Sequence, residues 1–167
     1  MDQILISPER CLGCRSCELA CAVEHFPGKD LFLAVAAEEP PVARIFVETD
    51  GKTNFPMQCR HCQQPQCVNA CMTGALRQDN ETGKVIFGQD KCVGCWMCVM
   101  ACPFGVIVQD WRQRVALKCD RCPDRDVPAC AAACPTGAIR FMPVPDYSKE
   151  KRQRYLTMFV DEEGQND

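Results

Sequence analysis

Sixteen of the 167 residues are cysteine, and they stand in four groups of four. In the third group Cys92, Cys95, Cys98 and Cys102 are separated by two, two and three residues, and Pro103 follows at once. The first group, Cys11, Cys14, Cys17 and Cys21, repeats those gaps with Ala22 in place of the proline. The second, Cys59, Cys62, Cys67 and Cys71, has gaps of two, four and three. The fourth, Cys119, Cys122, Cys130 and Cys134, has gaps of two, seven and three. Aromatic content is only 7 %, and long aliphatic runs are scarce. A conventional core would be thin, so the cysteines must organise the interior.

The spacing has a mechanical reason. Three cysteines two residues apart let one loop offer three thiolates to one cubane. The fourth lies a helical turn further on and points toward a second cluster. This is the bacterial ferredoxin run that holds [4Fe–4S] clusters. Pro103 then stops the short helix, because proline cannot continue its hydrogen-bond ladder. Zinc is the competing metal. Zinc motifs place two ligands on a knuckle and two elsewhere, which suits groups two and four but not groups one and three. Disulfides would need an oxidising compartment. Met1 to Glu9 has no basic n-region, no apolar h-region and no twin arginine, and no apolar run approaches a membrane span. The expectation is a cytoplasmic protein without a membrane span, whose thiols are reduced and bind metal.

The formal net charge is −3 with every cysteine counted neutral. Four cubanes with their thiolates add about −8 when oxidised. So acidic a holoprotein is a poor nucleic-acid binder.

In chain order, Gln3 to Ser7 reads as a strand. The helix of the first group runs on to His25, until Pro27-Gly28 stops it. Residues Lys29 to Pro41 form a connection with one helical turn. Ala43 to Thr49, Asp50-Gly51 and Lys52 to Met57 make a hairpin. Leu76 to Gln78 with Lys84 to Phe87, and Val106 to Val108 with Arg114 to Leu117, make two more. Ile139 to Met142 is a last strand. Pro143 to Pro145 break the pattern, Ser148 caps a helix over Lys149 to Phe159, and the tail Asp161 to Asp167 is expected to be disordered.

In a two-cluster ferredoxin each cluster takes three cysteines from one motif and the fourth from the other. Groups two and three are joined by a short hairpin and so form one unit. One cluster then uses Cys59, Cys62, Cys67 and Cys102, and another uses Cys92, Cys95, Cys98 and Cys71. Groups one and four pair across the chain, giving Cys11, Cys14, Cys17 with Cys134, and Cys119, Cys122, Cys130 with Cys21. The expected fold is α+β. It consists of tandem ferredoxin-like units, one inserted in the other, made of small antiparallel hairpins and short helices. Residues 1–28 and 115–145 form the outer unit, 29–114 the inserted inner unit, and 146–167 a C-terminal helix and tail.

The four-group pattern resembles the iron–sulfur electron-transfer subunits of the dimethyl sulfoxide reductase family. Relatives include formate dehydrogenase beta subunits, small proteins of formate hydrogenlyase and hydrogenase systems, and the ferredoxin-like partner of carbon monoxide dehydrogenase. The spacings C-x2-C-x4-C-x3-C and C-x2-C-x7-C-x3-C carry the likeness over about residues 3–142. The basic segment Ser148 to Phe159 looks like the C-terminal segment of the small soluble members. The resemblance implies four [4Fe–4S] clusters, since no group lacks a ligand. It implies a non-catalytic subunit that relays electrons between a catalytic oxidoreductase subunit, of molybdenum- or tungsten-pterin type, and a second redox protein. Carbon monoxide dehydrogenase or hydrogenase is the next partner class. The membrane-bound relatives' C-terminal transmembrane helix has no counterpart in the sequence.

No phosphate loop, dinucleotide fingerprint or nucleophile–base pair is present. The rival readings are a scaffold that links larger subunits, self-associating into filaments, and a free diffusing polyferredoxin. Of the other residues, His61 reads as a cluster-edge side chain rather than a ligand, and His25 as a solvated surface residue. Trp96 reads either as a cluster shield or as ordinary packing. Lys118, Arg15 and Arg60 either offset cluster charge or, the commoner fate, sit in solvent. Tyr155, Leu156, Met158 and Phe159 either dock on a partner or fold back over the chain's own ferredoxin unit.

Overall fold

In the computed structural model, residues 2–163 are described, with side chains as far as Phe159. The chain begins in strand β1 (Asp2–Ile6), which pairs antiparallel with β8 (Ile139–Pro143), Ile6 opposite Ile139 and Asp2 opposite Pro143. Three hairpins lie between them. They join β2 (Ile45–Thr49) to β3 (Asn54–Gln58), β4 (Leu76–Gln78) to β5 (Val85–Phe87), and β6 (Val108–Asp110) to β7 (Val115–Leu117). Every sheet thus has two strands, so each strand is an edge. Pro56 can sit inside β3 because an edge tolerates a missing N–H.

The helices are short and each follows a cysteine loop. They are α1 (Ser16–Glu24), α3 (Gln66–Asn69), α4 (Met97–Ala101) and α5 (Ala129–Ala132). The third and fourth cysteines of each group stand four apart on or just past these helices, so both lie on one face. α1 packs on α5, and α3 packs on α4. A further helix, α2 (Leu31–Ala36), lies in the connection where one helical turn was expected, capped where Asp30 accepts from the Leu33 amide at 2.9 Å.

Two apolar cores result. One gathers Ile4, Ile45, Val47 and Ile139 with Cys17, Cys21, Cys119 and Cys130. The other gathers Leu76, Val85, Ile107 and Ala116 with Cys67 and Cys98. In both, thiols supply much of the buried surface, as the low aliphatic content requires.

The last helix departs from expectation. Helix α6 runs Val144–Glu163, so it starts at once after β8 rather than at Ser148. Pro145 does not break it, because a proline in the first helical turn forfeits no bond. Tyr147 pins its start: the hydroxyl donates to the Ile6 carbonyl at 2.8 Å and accepts from Ser7 Oγ at 2.9 Å. Residues Asp161 to Glu163, expected in a disordered tail, belong to the helix; 164–167 lie outside the described residues. Tyr155, Leu156, Met158 and Phe159 stay exposed, so they do not fold back over the chain. Among the described residues no helix is long and apolar enough to cross a membrane.

Candidate iron–sulfur centres

Each cysteine loop needs backbone that an L-residue seldom adopts. The residue just before the second cysteine has positive φ in all four groups: Gly13 (+70°), His61 (+48°), Gly94 (+67°) and Arg121 (+66°). In groups one and three the residue after that cysteine is left-handed too, Arg15 at +58° and Trp96 at +63°. Such turns direct successive amide N–H groups into the loop, a concavity suited to an anionic group.

The loops bring thiols together across groups. Cys11, Cys14, Cys17 and Cys134 line one cavity, closed by Val47, Pro56 and Ile139. Cys71, Cys92, Cys95 and Cys98 line a second, closed by Leu76, Phe87 and Ala116. The remaining eight thiols influence one another electrostatically across groups. Burial, then charge on Cys59 and Cys102, pushes the Cys62 thiol up. Burial, with charge on Cys59 and Cys102 contributing, lifts Cys67 to about 11. Burial, with Cys119 and Cys122 contributing, lifts Cys21 to about 12. Burial together with Cys119, Cys21 and Cys122 raises Cys130 as well. All sixteen thiols are free.

The terminal cysteines of groups one, two and four also receive amide donors. The Leu76 amide donates to Cys71 Sγ and the Ile139 amide to Cys134 Sγ, each at 3.4 Å. Thr73 and Thr136 hydroxyls lie beside the same sulfurs. Burial would raise both thiols, but these donors bring them below the ordinary value. The shared cause is the repeated sequence Cys-x-Thr-Gly-Ala-Leu/Ile, whose turn aims the amide back at the sulfur. Group one lacks that turn, because α1 continues past Cys21. There the Arg44 amide serves, at 3.2 Å.

This donor set fits an iron–sulfur cluster. Close, buried thiols resist ionisation, and only strongly charged metal centres hold several as thiolates. His61 offers a second sign of fit. Its Nδ1 accepts from the Val85 amide at 3.0 Å, so Nε2 carries the ring proton. Nε2 is buried and has no partner in the protein, a donor left for a bound group. Burial, helped by Lys118, Arg121 and Lys84, drives the His61 pKa down to about 2 and keeps the ring neutral.

Several side chains differ from expectation. His25 is not solvated. Its Nδ1 lies 2.7 Å from the Cys21 carbonyl and its Nε2 3.2 Å from Asp120. Lys118 is buried rather than surface-bound, whereas Arg15 and Arg60 are exposed. Trp96 is half-buried and lies against Trp111, ring centroids 5.3 Å apart, while also lining the Cys92 cavity. His25, Asp120 and Cys122 cluster within 4.8 Å, but Arg44 pairs with Asp120 at 2.6 Å. The Cys122 amide donates to the same carboxylate at 2.9 Å. Burial alone would raise Asp120; these donors hold it well below the usual carboxylate range. The cluster is a lock tying α1 to the fourth cysteine loop. The sequence signal for such buried charge is the run Lys118-Cys-Asp-Arg-Cys122, which has no apolar residue except its cysteines.

Comparison with known proteins agrees with this chemistry. Residues 52–143 match the 4Fe-4S dicluster domain family, and residues 8–24 match a 4Fe-4S binding domain. The protein is 43 % identical to an iron-sulfur protein of Rhodospirillum rubrum, over 92 % of its own length and 90 % of that relative's. It is 35 % identical to the electron transport protein HydN of Escherichia coli K12, covering 93 % and 98 %. It is also 35 % identical to the thiosulfate reductase electron transfer subunit PhsB of Salmonella typhi, covering 83 % and 73 %. The chain belongs to the iron–sulfur electron-transport proteins built on ferredoxin-like 4Fe-4S dicluster domains.

Proposed function

We propose that the protein holds four [4Fe–4S] clusters and relays single electrons between a catalytic oxidoreductase subunit and a second redox protein, without catalysing a reaction itself. The observation that carries this reading is that two cavities are each ringed by three cysteines of one group and the last cysteine of another. The ligand sets are Cys11, Cys14, Cys17, Cys134; Cys71, Cys92, Cys95, Cys98; Cys59, Cys62, Cys67, Cys102; and Cys21, Cys119, Cys122, Cys130.

A bound cluster supplies one-electron redox chemistry. The protein supplies the thiolates, the amide and hydroxyl donors to sulfur, and burial, which together set potential. Pairing of β1 with β8 and packing of α1 on α5 support an outer unit of residues 1–28 and 115–145. Packing of α3 on α4 supports an inner unit within 29–114, although Ile45 and Val47 lie against the outer core.

Charge on Cys59 reaches Cys119 and charge on Cys17 reaches Cys130. That proximity supports a line in which the Cys92 and Cys11 sites are the ends. Cys14 and Cys95 are exposed, as an entry and an exit require. A molybdenum- or tungsten-pterin oxidoreductase is the favoured partner. The four-group pattern resembles that of the dimethyl sulfoxide reductase family, and one relative is the electron transfer subunit of a thiosulfate reductase. The exposed apolar side chains of α6 suit docking there.

Iron and sulfide analysis after anaerobic reconstitution should give about sixteen of each per chain. A value near eight would overturn the four-cluster reading. Anaerobic pull-down with mass spectrometry should recover a pterin-containing subunit; recovery of a hydrogenase or carbon monoxide dehydrogenase instead would correct the partner.

A further inference from the structure

Three basic side chains are buried where a core needs none. Lys118 is 3 % exposed, His61 6 % and Arg121 8 %. Cations are almost never buried unless something negative offsets them. Among the described residues no carboxylate forms a salt bridge with Lys118 or Arg121. Lys118 Nζ is instead fixed by the carbonyls of Val85 at 2.7 Å and Cys119 at 2.6 Å. These oxygens hold the ammonium in place but carry no net charge.

The surroundings identify the counter-charge. Lys118 acts electrostatically on both Cys67 and Cys119. Arg121 is acted on by Cys119 and by Cys59. Each cation therefore addresses thiols of two different quartets. His61, in the loop between Cys59 and Cys62, lies near both cations and turns its unpartnered Nε2–H into buried space. Arg121 also holds a left-handed backbone at +66°, an unfavourable conformation for a side chain of its size. Burial and backbone strain thus fall on the same residue.

We propose that two buried cations, Lys118 and Arg121, together with the neutral N–H donor of His61, form a positively charged partition between the Cys59, Cys62, Cys67, Cys102 quartet and the Cys21, Cys119, Cys122, Cys130 quartet. The partition makes these two centres the more easily reduced pair of the four. This rests on the ligand sets proposed above. Reduction adds one negative charge and breaks no bond, so the electron lost by a donor is the electron gained by the site. A fixed positive charge in a medium of low dielectric stabilises that added charge. Among the described residues the loops of the end quartets hold one cation, Arg15, and it is exposed.

The test is a potentiometric titration of reconstituted holoprotein followed by electron paramagnetic resonance. Signals of the end sites are assigned by their change in Cys14→Ser and Cys95→Ser. Lys118→Met should make the two middle signals at least tenfold harder to reduce, a shift of about 59 mV for one electron. The end signals and the iron content should stay unchanged. Arg121→Gln should move the same two signals in the same direction, and Lys118→Arg should restore them. Unmoved potentials at full iron content would overturn the proposal, and so would an equal shift of all four. If Lys118→Met loses iron, Arg121→Gln decides by the same criterion. Loss of iron in both would make the partition structural and the proposal wrong. Wild-type iron well below sixteen strikes the four-cluster reading instead.

Discussion

Gly94, at φ +67°, lies directly against the Arg114 carbonyl, so that a Cβ on residue 94 would land on the carbonyl oxygen. Gly13 is its counterpart in the first group, at φ +70°, but there the obstacle is the tip of the Asn54 side chain, 2.8 Å from the Cβ position. Both positions carry the left-handed cost of about 1–2 kcal/mol for a side chain. Only at Gly94 must backbone move as well. Gly94→Ala should therefore lose about four irons per chain on reconstitution, one cubane's worth, while Gly13→Ala keeps most of its iron. Equal loss in the two variants would show that φ alone matters.

Ile139 lies opposite Ile6 in the core it shares with Ile4, Ile45 and Val47 and is 2 % exposed, and its amide also donates to Cys134 Sγ. Ile139→Ala keeps the amide and removes the packing. It should cost about 2–5 kcal/mol by the cavity it leaves. Denaturant unfolding under anaerobic conditions measures this, and the iron content of the folded fraction should be unchanged.

Tyr147→Phe removes the donor to the Ile6 carbonyl and leaves the buried Ser7 hydroxyl without its acceptor. The expected cost is about 1–3 kcal/mol. Hydrogen exchange should accelerate in β1 and at the start of α6, and not in the β4–β5 hairpin. Acceleration everywhere would mean that Tyr147 holds more than the terminal strands.

Glu24 accepts from Lys29 at 2.6 Å and from Arg125 at 3.0 Å. The Lys29 hydrogen bond, then its charge and that of Arg125, hold the carboxyl below its usual range. A depressed folded-state value means the pair stabilises fully above the ordinary carboxylate range. That contribution fades as pH falls through the folded value. Glu24→Gln should be less stable than wild type near neutral pH. The difference should shrink in acid, read as anaerobic melting temperatures at each pH.

The elements set by local chemistry were legible in the sequence. The third and fourth cysteines four residues apart required a helical turn, and α1, α3, α4 and α5 follow. Asp50-Gly51 marked its hairpin. The start of α6 was not legible, because a proline at a helix's first turn and one at its end look alike before the flanking strand is placed. The fates of Lys118 and His25 were not legible either. Whether a cation beside a cysteine faces water or the interior depends on which other loop packs against it. For Lys118 that neighbour is Val85 of β5, and for His25 it is Asp120 of the fourth cysteine loop.

Exposure is graded along the proposed line, with Cys14 and Cys95 open to solvent at its ends and Cys119, Cys122 and Cys130 enclosed in the middle. A small oxidant such as dioxygen meets the open thiolates first. Oxidative injury would then sever the connections to other proteins before it reached the interior. A damaged molecule would fall silent rather than leak electrons from its centre, a safe way to fail for a protein that handles reductant.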